Sequence, residues 1–93
     1  MKASLKDRYR RRDEFHWEAQ AEGGVIYDHH ESLRYELNAT AFFIWSALDG
    51  IKNVEQIAQE LELIYEGDKR KLQKDVAKSL QQLFDDDLIS REP

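Results

Sequence analysis

The change from strand to helix lies within residues 33–50, which read LRYELNATAFFIWSALDG. Apolar and charged residues alternate over its first five positions, Leu33, Arg34, Tyr35, Glu36 and Leu37. A period of two is typical of a half-buried strand. From residue 38 onward the apolar residues recur with the period of a helix, and Asn38 is a suitable N-cap. A strand that runs directly into a helix predicts a fold of the α+β class.

Two further strands precede this stretch. Apolar and polar side chains alternate around Trp17, and residues 25–27 are rich in strand-favouring types. A Glu-Gly-Gly turn at residues 22–24 joins them, and a second polar turn is expected over residues 28–32. These segments predict an antiparallel three-stranded meander over residues 14–37.

Two helices are predicted after the first, which Asp49 and Gly50 close. The second opens at Asn53, where Gln56 completes a capping box, and it is expected to run to Gly67. Its inward residues would be Val54, Ile57, Ala58, Leu61 and Ile64. The third starts near residue 68 and ends at the acidic run 85–87, because negative charge is unfavourable at a helix C-terminus. Its apolar stripe is Leu72, Val76, Leu80 and Leu83, and the pair Leu88 and Ile89 is expected to fold back onto the core.

The composition describes one small domain. The 93 residues leave room for one hydrophobic core, with 41% hydrophobic and 35% charged residues. No apolar run approaches the roughly 20 residues that span a bilayer. The chain has no cysteine, which excludes disulfides, thiolate metal sites and cysteine nucleophiles. These features favour a cytoplasmic protein.

The positive charge is concentrated at the N-terminus. Six cationic side chains and one Asp7 give the first 12 residues a charge of +5, which leaves −10 for the remainder of a chain with net charge −5. We expect residues 1–13 to form a flexible, solvated basic arm and residues 14–93 to form the folded domain. An acidic body repels polyphosphates, so the charge distribution argues against general nucleic-acid binding.

Residues with catalytic or metal-binding chemistry are few. His29 and His30 lie beside Asp28 and Glu31, but adjacent side chains point apart, and no partner at ligand spacing is present unless His16 approaches across the hairpin. None of the serines lies in a nucleophile motif, and no glycine-rich phosphate loop is present. The sequence predicts neither catalysis nor a metal or cofactor.

Several motifs resemble the PqqD family, whose namesake is pyrroloquinoline quinone biosynthesis protein D. The similarity lies in the Tyr-Glu-Leu-Asn-Ala-Thr-Ala stretch 35–41, the Leu-Asp-Gly stop at 48–50 and the Val-Glu-Gln-Ile-Ala segment 54–58, and it extends over about residues 24–90. The resemblance implies a winged helix-turn-helix-like fold, a three-stranded meander followed by three helices. It also implies a recognition element for the leader of a ribosomally made, post-translationally modified peptide. Its partners would then be a precursor peptide and a modifying enzyme, such as a radical enzyme, a protease or a cyclase.

In such families the leader adds a strand to the third strand, in a cleft with the third helix. Carried over to this chain, the peptide-binding residues would be Leu33, Arg34, Tyr35, Glu36, Leu72, Asp75, Val76 and Ser79. A small meander also leaves unpaired backbone groups along its edges, which are templates for another strand. The alternative for Leu72 and Val76 is a purely structural role in the core, and Arg34 and Glu36 could form a solvated strand face.

Two other functions remain as alternatives. A winged-helix DNA-binding protein would read DNA with the second or third helix and use the basic arm for phosphates. A structural homodimer would use the open strand edge together with Phe42 and Phe43, which make the first helix apolar almost all round.

Overall fold

The computed structural model describes residues 4–28 and 33–93. Its elements in chain order are β1 (Arg8–Arg11), β2 (Phe15–Gln20), β3 (Gly23–Asp28), β4 (Arg34–Asn38), α1 (Ala39–Ala47), β5 (Asp49–Asn53), α2 (Val54–Ile64), α3 (Lys69–Asp85) and β6 (Ile89–Glu92). They form two antiparallel three-stranded sheets and three helices, which confirms the predicted α+β class. Among the described residues, no helix is long and apolar enough to cross a membrane.

The predicted meander is present as the sheet β2-β3-β4. β3 lies in the middle, pairing with β2 from Phe15↔Asp28 to Gln20↔Gly23 and with β4 from Gly23↔Asn38 to Tyr27↔Arg34. The second turn was predicted over residues 28–32, but Asp28 is the last residue of β3. The remaining turn residues, with the His29-His30 pair, lie outside the described residues.

The second sheet, of order β5-β1-β6, was not predicted. Its central strand is β1, so the expectation of a flexible arm over residues 1–13 is wrong for residues 8–11. Tyr9 is only 1% exposed and contacts Phe84 edge to face, with ring centroids 6.2 Å apart. Burial raises the pKa of the Tyr9 hydroxyl above its usual range, and the nearby Asp7 carboxylate acts in the same direction. A domain boundary after residue 13 would therefore remove part of the core.

Arg11 links the second sheet to the first helix and to the meander. Its Nη1 donates hydrogen bonds to the carbonyl oxygens of Trp45 (3.1 Å) and Ser46 (2.9 Å) near the end of α1. Its guanidinium also lies 4.9 Å from the centroid of the Trp17 ring. A cation at a helix C-terminus is stabilised by the helix dipole. Arg11 is thus a structural residue.

The predicted helix starts are confirmed. The Asn38 side chain accepts a hydrogen bond from the Ala41 N–H at 2.8 Å, and Asn53 forms the expected capping box with Gln56. α2 ends before the predicted stop at Gly67, because the chain already turns into an extended conformation at Tyr65. Ile64 was predicted to point inward, but it is 58% exposed at the end of α2.

Asp49 and Gly50 begin β5 instead of simply closing the first helix, which ends at Ala47. Asp49 Oδ1 accepts hydrogen bonds from the backbone N–H groups of Ile51 (2.9 Å) and Lys52 (3.0 Å). These bonds lower the pKa of the Asp49 carboxyl below its usual value. The side chain therefore fixes the start of β5.

The third helix and the chain end follow the prediction closely. Val76, Leu80 and Leu83 are buried on one face of α3, whereas Leu72 is half-buried. The helix ends at Asp85, and Leu88 and Ile89, each 1% exposed, return to the core and lead into β6. The order helix, strand, helix, helix, strand from α1 to β6 is that of a winged helix-turn-helix, with β1 between its two strands.

The Phe42 ring packs against Gly24 of β3, which has no side chain. A Cβ atom placed on Gly24 would overlap the Phe42 ring, so the ring occupies the space above β3. Phe42 also contacts Trp17 edge to face, with centroids 5.9 Å apart. Phe42 and Phe43 are both half-buried against the core, so their size is explained within one chain. Of the two features that suggested a homodimer, the open strand edge is the one that still needs a partner.

Replacing Tyr9 tests whether β1 belongs to the core. Tyr9→Ala should reduce the free energy of unfolding by about 3–5 kcal/mol, because a buried aromatic ring is lost. Urea denaturation monitored by circular dichroism measures this change. Glu14→Ala, at an exposed position in the turn after β1, is the control and should stay within about 0.5 kcal/mol of the parent. Equal midpoints for both variants would show that β1 is not part of the core.

The contact between Gly24 and Phe42 predicts coupled substitutions. Gly24→Ala should cost about 1–3 kcal/mol because the new methyl group overlaps the Phe42 ring. In a Phe42→Ala background the same substitution should cost much less, since the overlap is gone. Urea denaturation of the four proteins of this cycle gives the coupling. An equal cost in both backgrounds would rule out the close packing of this ring on β3.

Candidate functional site

A groove of about 580 Å³ lies between β4 and α3. The strand side and the start of α1 contribute Arg34, Tyr35, Glu36, Leu37, Asn38, Thr40 and Ala41. The opposite side consists of Asp75, Lys78, Ser79, Gln82, Leu83, Asp86 and Leu88. The groove thus has a strand edge along one side and a helix along the other.

β4 is an edge strand whose only pairing partner among the described residues is β3. The Asp28 N–H donates to the Leu33 carbonyl at 3.3 Å, so the opposed residues 28 and 33 form a hydrogen-bonded pair. Hydrogen-bonded and non-hydrogen-bonded pairs alternate along an antiparallel ladder. The backbone groups of Tyr35 and Leu37 therefore face β3, and those of Arg34 and Glu36 face away from it. The free edge of β4 carries these outward N–H and C=O groups.

The side chains of β4 divide between two faces of the sheet. Tyr35 and Leu37 pack against the hydrophobic core and provide an apolar floor beside the groove. Arg34 and Glu36 are exposed on the opposite face. On that face the Tyr27 hydroxyl donates to Glu18 Oε1 at 3.1 Å, and this bond raises the pKa of Tyr27. A strand added to β4 would have one face toward the helices and one toward solvent.

The helix side of the groove is polar. Asp75, Ser79, Gln82 and Asp86 follow one another at spacings of three and four residues, so they lie along one face of α3. Lys78 adds a positive charge beside them. Leu83 and Leu88 close the groove toward the core. Such a surface provides hydrogen-bonding groups and charges for the side chains of a bound segment and an apolar base for its anchors.

The structure brings five of the eight predicted binding residues together. Arg34, Tyr35, Glu36, Asp75 and Ser79 all line the groove. Leu33, Leu72 and Val76 do not belong to its lining.

The three remaining positions have separate explanations. Val76 is 0% exposed and its side chain belongs to the core, so its prediction as a contact residue needs correction. Leu72 is half-buried, one helical turn before Val76. Leu33 precedes β4 and is 49% exposed.

Sequence reasoning missed several groove residues, including Lys78, Gln82 and Asp86. Helical periodicity could have found two of them, because residues 82 and 86 continue the face that starts at Asp75 and Ser79. Thr40 and Ala41 could not be found in this way. They reach the groove because α1 begins directly at the end of β4.

Over residues 4–28 and 33–93, no three His, Cys, Asp or Glu side chains are grouped so that they could hold a metal ion. The groove contains carboxylates, but they are spread along its length. A free strand edge beside a helix has the shape that suits an extended polypeptide segment.

The chain is similar to known proteins in both sequence and structure. Residues 23–89 match the family described as "Coenzyme PQQ synthesis protein D (PqqD)". A comparison with curated proteins gives no significant match.

Two solved structures have the same fold. One is titled "TbiB1 in Complex with the TbiA(beta) Leader Peptide"; it is 21% identical, with a TM-score of 0.75 over 87% of this chain and 94% of that one. The other is titled "Lasso peptide synthetase B1 complexed with the leader peptide"; it is 25% identical, with a TM-score of 0.72 over 91% of this chain and 98% of that one.

Amide hydrogen exchange can measure which backbone N–H groups of β4 face β3 and which face away from it. The amides of Arg34 and Glu36 should exchange faster than those of Tyr35 and Leu37, because only the latter donate to β3. Exchange followed by NMR resolves each residue. The internal control is β3, whose amides pair with β2 or β4 and should show no such alternation. Equal protection at all four β4 positions would mean that the edge is already paired.

Proposed function

The chain belongs to the PqqD family, and we propose that it binds the leader segment of a ribosomally made precursor peptide and presents it to a modifying enzyme. The leader would add as a strand to β4 and lie in the groove beside α3. The observation that carries this proposal is the outward-facing backbone of Arg34 and Glu36 next to a groove that α3 lines on its other side. Both solved structures of the same fold bear titles that name a leader peptide.

Strand addition suits a carrier of precursor peptides. Main-chain hydrogen bonds give affinity that depends little on sequence, and pockets for alternate side chains give selectivity. Each hydrogen bond contributes about 0.5–1.5 kcal/mol, and ordering a disordered guest offsets much of the total. A dissociation constant of about 0.1–10 µM follows, which permits capture and release.

The protein would act as a partner of enzymes and not as an enzyme itself. The modifying enzyme would be a radical enzyme, a protease or a cyclase, and all components would meet in the cytoplasm, where the precursor is made. The family match and the groove support a binding role, and no cofactor is required for it. A homodimer through an open strand edge remains an untested alternative.

The DNA-binding alternative has weaker support. The matched structures bear titles that name peptides, and the net charge of −5 opposes the approach of a polyphosphate. Two arginines near the N-terminus form ion pairs with carboxylates of this chain, Arg10 with Asp13 and Glu92, and Arg12 with Asp87.

A proline substitution separates strand addition from side-chain recognition. In Glu36→Pro the missing N–H is one that faces away from β3, so the sheet should remain intact. Binding of the leader peptide encoded beside the gene should weaken at least about fivefold, because one hydrogen bond is lost and the ring occupies space needed by the guest. Isothermal titration calorimetry measures the affinity and circular dichroism the fold.

Glu36→Ala is the matched control, since it removes the same side chain and keeps the N–H. If the two variants bound the leader equally well, strand addition at β4 would be wrong. Tyr35→Pro removes an N–H that donates to β3, and it should destabilise the protein itself.

A further inference from the structure

The two charged side chains on β4 have no ion-pair partner within the described residues. Arg34 and Glu36 are exposed and lie on the same face of the sheet, two positions apart. On β3 the residues opposite them are Tyr27 and Val25, which carry no charge at neutral pH. The other flank of β4 is its free edge. A guest strand is therefore the element that would place side chains directly beside this pair of opposite charges.

The backbone of β4 determines which of its residues would pair with a guest strand. Because the N–H and C=O groups of Arg34 and Glu36 face outward, an antiparallel guest would form hydrogen-bonded pairs with these two residues. Directly opposed residues in such pairs have their side chains on the same face, close enough for charges to interact. The residue between them would face the helices, beside the apolar floor at Tyr35.

We propose that Arg34 and Glu36 select the charge order of the leader. The leader runs antiparallel to β4 and carries a cationic residue opposite Glu36, followed two positions later by an anionic residue opposite Arg34. A parallel guest would need the reverse order. Antiparallel pairing is the more stable form per residue, and every strand pair within residues 4–28 and 33–93 is antiparallel. This inference rests on the proposed function and adds the substrate feature that the groove reads.

A charge-swapped variant tests the inference without changing composition or net charge. Arg34→Glu combined with Glu36→Arg alters two exposed positions and leaves the floor and α3 untouched. The matched control swaps an ion pair on β5 and α2, Lys52→Glu with Glu60→Lys, whose Nζ and Oε2 atoms are 3.1 Å apart in the parent. Neither control residue lines the groove.

The probe is a phage-displayed library of random twelve-residue peptides, selected separately on the parent, the swapped variant and the control. The parent and the control should enrich a cation followed two positions later by an anion, and the swapped variant should enrich the opposite order. For one enriched peptide and its charge-transposed isomer, the affinity ratio should be about 3- to 20-fold on the parent and inverted on the swapped variant. The ratio should shrink at high salt, because exposed charges are screened.

Every other outcome would contradict either the proposed charge order or the proposed function. The selected peptides could shift the β4 amide signals in NMR spectra and yet share no charge order. This result would show that Arg34 and Glu36 do not select charge, although a peptide still binds at β4. An anion-first order on the parent would contradict the antiparallel direction. If no selected peptide shifted the β4 signals, the proposed function itself would fail together with this inference.

Discussion

β4 forms strand pairing along one side only, with β3. Its other side faces α3 across the groove, and the space between this strand edge and the helix is what a bound segment would fill. This arrangement is held by the junction between β4 and α1. Asn38 is both the last residue of the strand and the N-cap of the helix, and its side chain accepts the Ala41 N–H at 2.8 Å. No loop separates the free edge from the helix, so the first turn of α1 forms one end of the groove.

The second sheet stabilises the other end of α1. Arg11, on β1, binds the carbonyl oxygens of Trp45 and Ser46, while Tyr9 on the same strand fills the core beside Phe84. α1 is thus fixed at its start by Asn38 and at its end by a residue that lies 34 positions before Trp45 along the chain. The residues of β1 do not line the groove, but Arg11 among them holds the helix that shapes it.

Features encoded locally were predictable from the sequence, and those that depend on distant pairing were not. The alternation in the meander and the caps at Asn38 and Asn53 need only a few neighbouring residues. β1 contains a single buried side chain, Tyr9, between arginines, and it pairs with the distant strands β5 and β6. At the site, Asp75 was predicted to line the groove and does so, whereas Val76 is turned into the core because consecutive helical residues point in different directions.

A free edge that accepts a foreign strand must also avoid its own copy. Antiparallel pairing of two β4 strands about Tyr35 would place each Arg34 opposite the Glu36 of the other chain, so charge alone does not prevent it. A folded copy and an isolated peptide differ in what lies beyond the strand that would pair with β4. A strand in a folded copy carries β3 along its far side, and α3 lines the groove where that neighbour would extend. An isolated segment brings no such neighbour and needs only the space between β4 and α3.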